Sequence, residues 1–359
     1  MTRVYLDHAA TTPLRPEARE AMRHGFELWA NPSSPHAEGR AARAALEEAR
    51  ARVKAALKWD GEVIFTSGAS EAAGLAFGAV HAAERLVSAV EHESILKSAP
   101  GATIVPVGPD GALDRQALER ELQAARNPLV AVQTVNSETG NNQDVCAVAD
   151  LVEEAGGLYL IDASQSAGKY PFRHAADMVI VSAHKLGGPI GIGALLVRDL
   201  ALLAPSGGQE RGYRRGTENL PGAAGFAAAL EACASPYVER GVLEVVDELA
   251  DEVRALGGTW LGERLDSPTA HIHAIAMPGL SASAQLMRFD LQGFAVSQGS
   301  ACSSGSLRAS HVLAAMGVDP DEASRTIRVS LGWNTTREDV ERFAEAWTLM
   351  ARQAAERAA

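Results

Sequence analysis

Aromatic residues make up only 5% of the 359-residue chain, so its core must be built mostly from Ala, Leu and Val. Cysteine is scarcer still. Cys146, Cys233 and Cys302 are odd in number, far apart and free of any CxxC spacing. That argues against a disulfide framework or a zinc finger and points to a reducing compartment. Positive charge is also in short supply: Lys and Arg total 33 against 45 Asp and Glu, a formal net charge of -12. A general nucleic-acid or anionic-membrane binder is excluded on that balance. No run approaches the ~18 apolar residues of a membrane helix. The first residues carry Arg3 and Asp7 instead of the apolar stretch of a signal peptide. What remains is an ordinary globular composition, 47% hydrophobic and 22% charged. The expectation is a cytoplasmic protein of about two domains.

Hydrophobic patterning predicts a short strand at residues 4–6, a helix over 16–27 and a long helix over 39–57. The cations of that long helix (Arg40, Arg43, Arg50, Arg52, Lys54) read as a solvated face. Further apolar runs at 62–66, 86–90, 103–107, 129–134, 158–161, 178–181 and 193–197 read as strands, with helices near 114–125 and 145–155. Buried strands separated by helices imply an α/β protein with a mainly parallel sheet covered on both faces. The character changes after Gly216. One long helical region over 221–255 is followed by strand-like residues 271–277, a helix near 282–289, a strand at 294–297 and a final amphipathic helix from 337. This predicts a second, smaller α+β domain.

Four segments carry chemistry. In Ser182-Ala183-His184-Lys185-Leu186-Gly187-Gly188-Pro189, a strand delivers a lysine into a glycine-rich loop at its carboxyl end, where open α/β sheets bind ligands. Lys185 is either a solvated cation or a Schiff-base nucleophile. Asp162 closes a buried strand and needs a cationic partner. A protonated pyridine nitrogen is one such partner, and helix capping is the other reading. Thr66-Ser67-Gly68-Ala69-Ser70-Glu71 is a strand, small-residue turn and helix start that suits a phosphate. The polar loop Ser297 to Ser306 holds Cys302, the one cysteine not in an apolar helical context, and marks it as reactive. Cys146 and Cys233 read as inert core thiols. His92 follows a strand to the same carboxyl edge, and Arg328 within an apolar strand calls for a carboxylate. His271 and His273 share a strand face but lack a third ligand, so no metal is expected.

Together these segments resemble the cysteine desulfurases, pyridoxal-phosphate enzymes of aminotransferase class V with the type I fold. The resemblance runs almost end to end. It includes Asp7-His8-Ala9-Ala10-Thr11-Thr12-Pro13, Asn31-Pro32-Ser33-Ser34-Pro35-His36, Glu91-His92, Asn136-Ser137-Glu138-Thr139-Gly140, Gly207-Gly208-Gln209-Glu210-Arg211-Gly212 and Arg215-Gly216-Thr217-Glu218-Asn219. It implies a seven-stranded sheet in a large cofactor-binding domain (12–236). Residues 1–11 and 237–359 would form the small domain bearing the cysteine loop. It implies that Lys185 bonds the cofactor and moves the Cα proton, that Asp162 pairs with its ring nitrogen, and that His92 stacks on its ring and is a catalytic acid or base. Gln165 would contact the phenolic oxygen. Ala69, Ser70, Ser182 and His184 would hold the phosphate, and Thr217 would reach the phosphate of a neighbouring subunit in a homodimer. Asn136 and Arg328 would bind the carboxylate of L-cysteine, and Cys302 would be the nucleophile that becomes a persulfide. The cysteine loop resembles that of the family branch with a longer, mobile loop. A sulfur-acceptor protein follows as partner, with iron–sulfur cluster assembly as the default destination. Other class V enzymes, namely selenocysteine lyase, cysteine sulfinate lyase or an aminotransferase, are the alternative.

Overall fold

The computed structural model describes residues 3–171, 176–233, 236–299 and 310–358. Cys302, expected as the nucleophile, lies outside the described residues.

Seven strands form the main sheet, in the order Glu62–Thr66, Gly193–Val197, Met178–Ser182, Leu158–Asp162, Pro128–Gln133, Glu84–Ser88 and Thr103–Val105. Gly193–Val197 runs antiparallel to both neighbours, and every other pairing is parallel. The two strands Met178–Ser182 and Gly193–Val197 are buried at every position, which is why they read as unbroken apolar runs. Side chains alternate between the two faces. Val130, Val132, Ile161, Val179 and Val181 pack with Leu46 and Val53 of helix Ala37–Ala56 and with Phe226 of helix Leu220–Glu231. Leu129, Ala131, Leu160, Ile180 and Leu195 pack with Ala72, Ala73 and Phe77 of helix Ala69–Ala79. The six co-directional strands end on one edge of the sheet, where Thr66, Ser88, Val105, Gln133, Asp162 and Ser182 stand.

A second core lies among Val4, Leu6, Val245, Leu249, Val253, Phe289, Phe294, Phe343 and Trp347. Its antiparallel sheet has the order Thr326–Ser330, Ile272–Ala276, Thr259–Trp260. The amino-terminal strand Val4–Tyr5 pairs in parallel with Phe294–Ala295. Helix Arg337–Ala358 buries Val340, Phe343, Trp347 and Met350 along one stripe, as its sequence pattern predicts.

Two expectations are corrected. The helical region over 221–255 is two helices, Leu220–Glu231 and Arg240–Ala255. Pro236 stands between them, and proline lacks the N–H and the steric room that a continuous helix needs. Arg50 is not part of a solvated face. It is 3% exposed, and its guanidinium makes paired hydrogen bonds to Glu210 at 2.7 and 3.2 Å.

Candidate active site

Strand Met178–Ser182 runs directly into the short 3-10 turn Ala183–Lys185 at the carboxyl edge. Gly188 closes this turn, its N–H donating to Ala183 O at 2.9 Å. A Cβ on Gly188 would lie 2.9 Å from both Ala183 Cβ and Ala183 O, so only glycine fits. Lys185 is half-buried, and its Nζ donates to the carbonyls of Ala9 (2.6 Å) and Ala10 (2.9 Å). Thr12 N donates to His184 O at 2.8 Å, and His184 Nδ1 lies 3.2 Å from Thr11 Oγ1. Residues 9–12 thus form a collar around the lysine. Burial, followed by the nearby Lys185 and Lys169, lowers the His184 pKa to about 4, so its ring is neutral at neutral pH.

Asp162 ends the neighbouring strand and is 7% exposed. Its Oδ1 accepts from Ser164 N at 2.9 Å, and no lysine, arginine or histidine among the described residues pairs with it. Ser182 is 1% exposed at the end of its strand. Helix Ala69–Ala79 starts at the same edge with no side-chain cap on its first turn, Ser70 exposed there and Gly68 at φ 154. Such a start offers unpaired N–H groups and the positive end of the helix dipole. His92 caps helix Glu93–Ser98, with Nδ1 accepting from Ser94 N at 3.1 Å. Its neighbour Glu91 is wholly buried. One carboxylate oxygen accepts from Gln133 N at 2.8 Å and the other has no partner, so burial drives its pKa well above the carboxylate range.

Arg328 is 4% exposed within strand Thr326–Ser330. Its Nη2 donates to Asp7 Oδ1 and its Nη1 to Ser137 O, both at 2.8 Å, while Nε is buried without an acceptor. Asn136 is committed to its own turn. Its Oδ1 accepts from the N–H groups of Glu138 and Thr139 at 2.9 Å each, and its Nδ2 donates to Val90 O at 3.1 Å. Glu138 lies against both Gly299 and Ser310. A Cβ on Gly299 would lie 2.6 Å from Glu138 Oε2, and Ser310 Oγ donates to that same oxygen at 2.6 Å. Thr217 is exposed, at the end of a segment anchored through Glu210.

Sequence reasoning missed three of these residues. Glu91 was quoted only as a neighbour of His92. Glu138 carries no local signal beyond its place in the Asn136–Gly140 turn, whose fold is visible only in three dimensions. Lys169 is 4% exposed in the turn after Asp162, with Nζ donating to Gln165 Oε1 at 3.2 Å. Its one sequence clue is the spacing of four from Gln165.

Residues 4–343 match the family described as Aminotransferase class-V. A cysteine desulfurase of Cereibacter sphaeroides is 37% identical over 370 residues, covering 96% of this chain and 95% of that protein. The chain belongs to the cysteine desulfurase family. Another relative, "Cysteine desulfurase IscS 1" of Archaeoglobus fulgidus, is 32% identical, with 95% of both chains covered. The solved NifS-like protein of Rickettsia africae superposes with a TM-score of 0.86 at 30% identity, over 96% of this chain and 98% of that one. The mixed sheet described above is that of the type I fold, and the family's enzymes depend on pyridoxal phosphate. The residues present fit that group. They supply a buried carboxylate with no cation beside it, a lysine amine on the same edge, an uncapped helix start for a phosphate, and a buried guanidinium nitrogen without an acceptor.

Proposed function

We propose that the chain converts L-cysteine to L-alanine and stores the sulfur as a persulfide on Cys302. The observation that carries this is the cation-free Asp162 on the edge that also presents Lys185, in a chain matching cysteine desulfurases along nearly all its length. Lys185, Asp162, Gln165, Ser182, His184, His92 and the Ala69–Ser70 helix start would hold pyridoxal phosphate. When bound, that group supplies an electron sink for charge developing at the substrate Cα.

The chain's own residues do the rest. Lys185 Nζ, held among the carbonyls of Ala9 and Ala10, takes the Cα proton and later returns it. Arg328 exchanges its contact with Asp7 for the substrate carboxylate, to which a guanidinium presents two parallel donors. Asn136, already committed to the turn that supports Ser137 O, shapes that end of the site. Cys302 attacks the substrate sulfur as a thiolate, the form that is nucleophilic. A sulfur–sulfur bond forms as the Cβ–sulfur bond breaks, and the three-carbon fragment takes up protons and leaves as L-alanine.

The active form we propose is a homodimer in which Thr217 reaches the neighbouring copy's phosphate site. The exposure of Thr217 supports this, as do the exposed apolar side chains Phe26 (66%), Trp29 (80%) and Ile190 (80%). Residues 1–11 and 237–359 would act as one smaller domain, consistent with Val4 and Leu6 packing in the core of the carboxyl-terminal elements. The persulfide sulfur would pass to a small acceptor protein, and relatives named IscS favour iron–sulfur cluster assembly as its destination. No described helix is long and apolar enough to cross a membrane.

The test is Cys302→Ala. The variant is expected to keep the visible absorbance of bound cofactor and to release no sulfide from L-cysteine. Undiminished sulfide release would remove Cys302 from the reaction.

A further inference from the structure

A continuous run of hydrogen bonds joins two lysines through the candidate site. Lys169 Nζ donates to Gln165 Oε1 at 3.2 Å, and Gln165 Nε2 donates to Ala9 O at 2.8 Å. Lys185 Nζ donates to that same carbonyl at 2.6 Å. The local fold sets the first link. The chain after Asp162 coils tightly, with Ala167 N on Ala163 O at 2.8 Å and Tyr170 N on Ser166 O at 3.1 Å. Residues four apart in such a coil lie above one another. Gln165 and Lys169 are each 4% exposed.

No carboxylate among the described residues pairs with Lys169. Its ammonium instead sits 5.4 Å from the centre of the Tyr237 ring. The other groups that act on it are Lys185, Arg328 and the Cys233 thiol. His8, His184 and His271, which feel its charge, are held neutral by burial. Burial, followed by Lys185, lowers the Lys169 pKa to about 7. Burying an ammonium without a counter-ion is unfavourable, and packing alone does not require it, since methionine fills the same volume.

The donor chemistry fixes the order of the run. The lysine amine, charged or neutral, offers N–H groups to the amide oxygen, and a carbonyl only accepts. The amide between them therefore stands one way round, with its oxygen toward Lys169 and its N–H groups toward Ala9 and the neighbourhood of Lys185. Without Lys169 the amide oxygen loses its donor, and the orientation rests on the bond to Ala9 O alone.

We propose that Lys169 is a positioning residue for the desulfurase reaction, locking Gln165 so that its N–H groups, not its oxygen, face the cofactor beside Lys185. This rests on the roles of Gln165 and Lys185 given under Proposed function. The experiment is a pH titration of the visible absorbance of the holoenzyme. Lys169→Met is expected to move the midpoint up by about one unit, a tenfold change in proton affinity. Gln165→Glu, which presents an oxygen on both sides, is expected to move it the same way. In a Gln165→Ala background, Lys169→Met is expected to add no further shift. An unmoved midpoint in coloured Lys169→Met protein overturns the proposal alone, as does an equal extra shift in the Gln165→Ala background. A wild-type protein that takes up no pyridoxal phosphate overturns both the proposal and the reading beneath it.

Discussion

Glu210→Gln removes one charge from a buried pair and tests how the segment leading to Thr217 is held. The side chains of Arg50 and Glu210 are 4% and 1% exposed, so neither group has water to fall back on. Glu210 Oε2 also accepts from Phe65 N at 2.9 Å, tying the segment to strand Glu62–Thr66. Glu210 and Arg211 both adopt left-handed backbone, φ 47 and 58. Each such non-glycine residue costs about 1–3 kcal/mol and persists only where its surroundings enforce it. Breaking a buried pair by removing one partner costs about 3–5 kcal/mol, and at 1.4 kcal/mol per tenfold a loss of about 3 kcal/mol is roughly a hundredfold in the unfolding constant. Urea unfolding of the cofactor-free variant, followed by circular dichroism, is therefore expected to show a clearly lower midpoint. Its affinity for pyridoxal phosphate is expected to fall as well, because Thr217 loses its anchored position. Adding Arg50→Met is expected to restore part of the stability, since the buried guanidinium, left with Glu47 at 3.3 Å as its one carboxylate, is removed, without restoring the affinity. An unchanged urea midpoint in Glu210→Gln would refute the claim that this pair holds the segment.

Two further outcomes follow from buried groups. His8, His184 and His273 have pKa values lowered by burial to about 3, 4 and 4, and His271 lies well below its ordinary value. The unfolded chain protonates these residues near 6.5 while the folded chain does not, so their stability is present above that pH and is lost as pH falls from 6.5 toward 4. At about one unit below 6.5 each contributes a loss of about 1.4 kcal/mol, roughly 6 kcal/mol for the four. A urea midpoint that stays constant between neutral pH and about 5.5 would contradict this. Arg328→Lys is expected to raise KM for L-cysteine at least about tenfold with the fold intact, because an ammonium lacks the planar pair of donors. An unchanged KM would place the substrate carboxylate elsewhere.

Strands buried on both faces were legible in the sequence because each is a short apolar run, and three of them, Glu62–Thr66, Leu158–Asp162 and Met178–Ser182, lead straight into segments with chemistry. The position of Asp162 and the loop holding Lys185 followed from that pattern alone. Arg50 was misread for a physical reason: its partner Glu210 is far along the chain, and helical spacing with other cations looks like a solvated stripe. Lys169 was passed over because a lysine in a polar turn gives no sign of burial until helix Leu220–Glu231 and Tyr237 close over that region. The strand Thr259–Trp260 and the helices His311–Ala315 and Pro320–Ser324 are too short to impose a period on the sequence. Asn136 illustrates a different limit. The resemblance assigns it to the substrate, while the fold commits its amide oxygen to Glu138 N and Thr139 N and its nitrogen to Val90 O.

In the proposed reaction the sulfur of L-cysteine passes to Cys302. Peptide mass spectrometry under non-reducing conditions, after a brief exposure of the holoenzyme to L-cysteine, tests it most directly. One added sulfur atom is expected on the peptide containing Cys302 and none on those containing Cys146 or Cys233, with L-alanine released. Formation of L-alanine with the Cys302 peptide unmodified, or with the sulfur on either of the other two thiols, would contradict it.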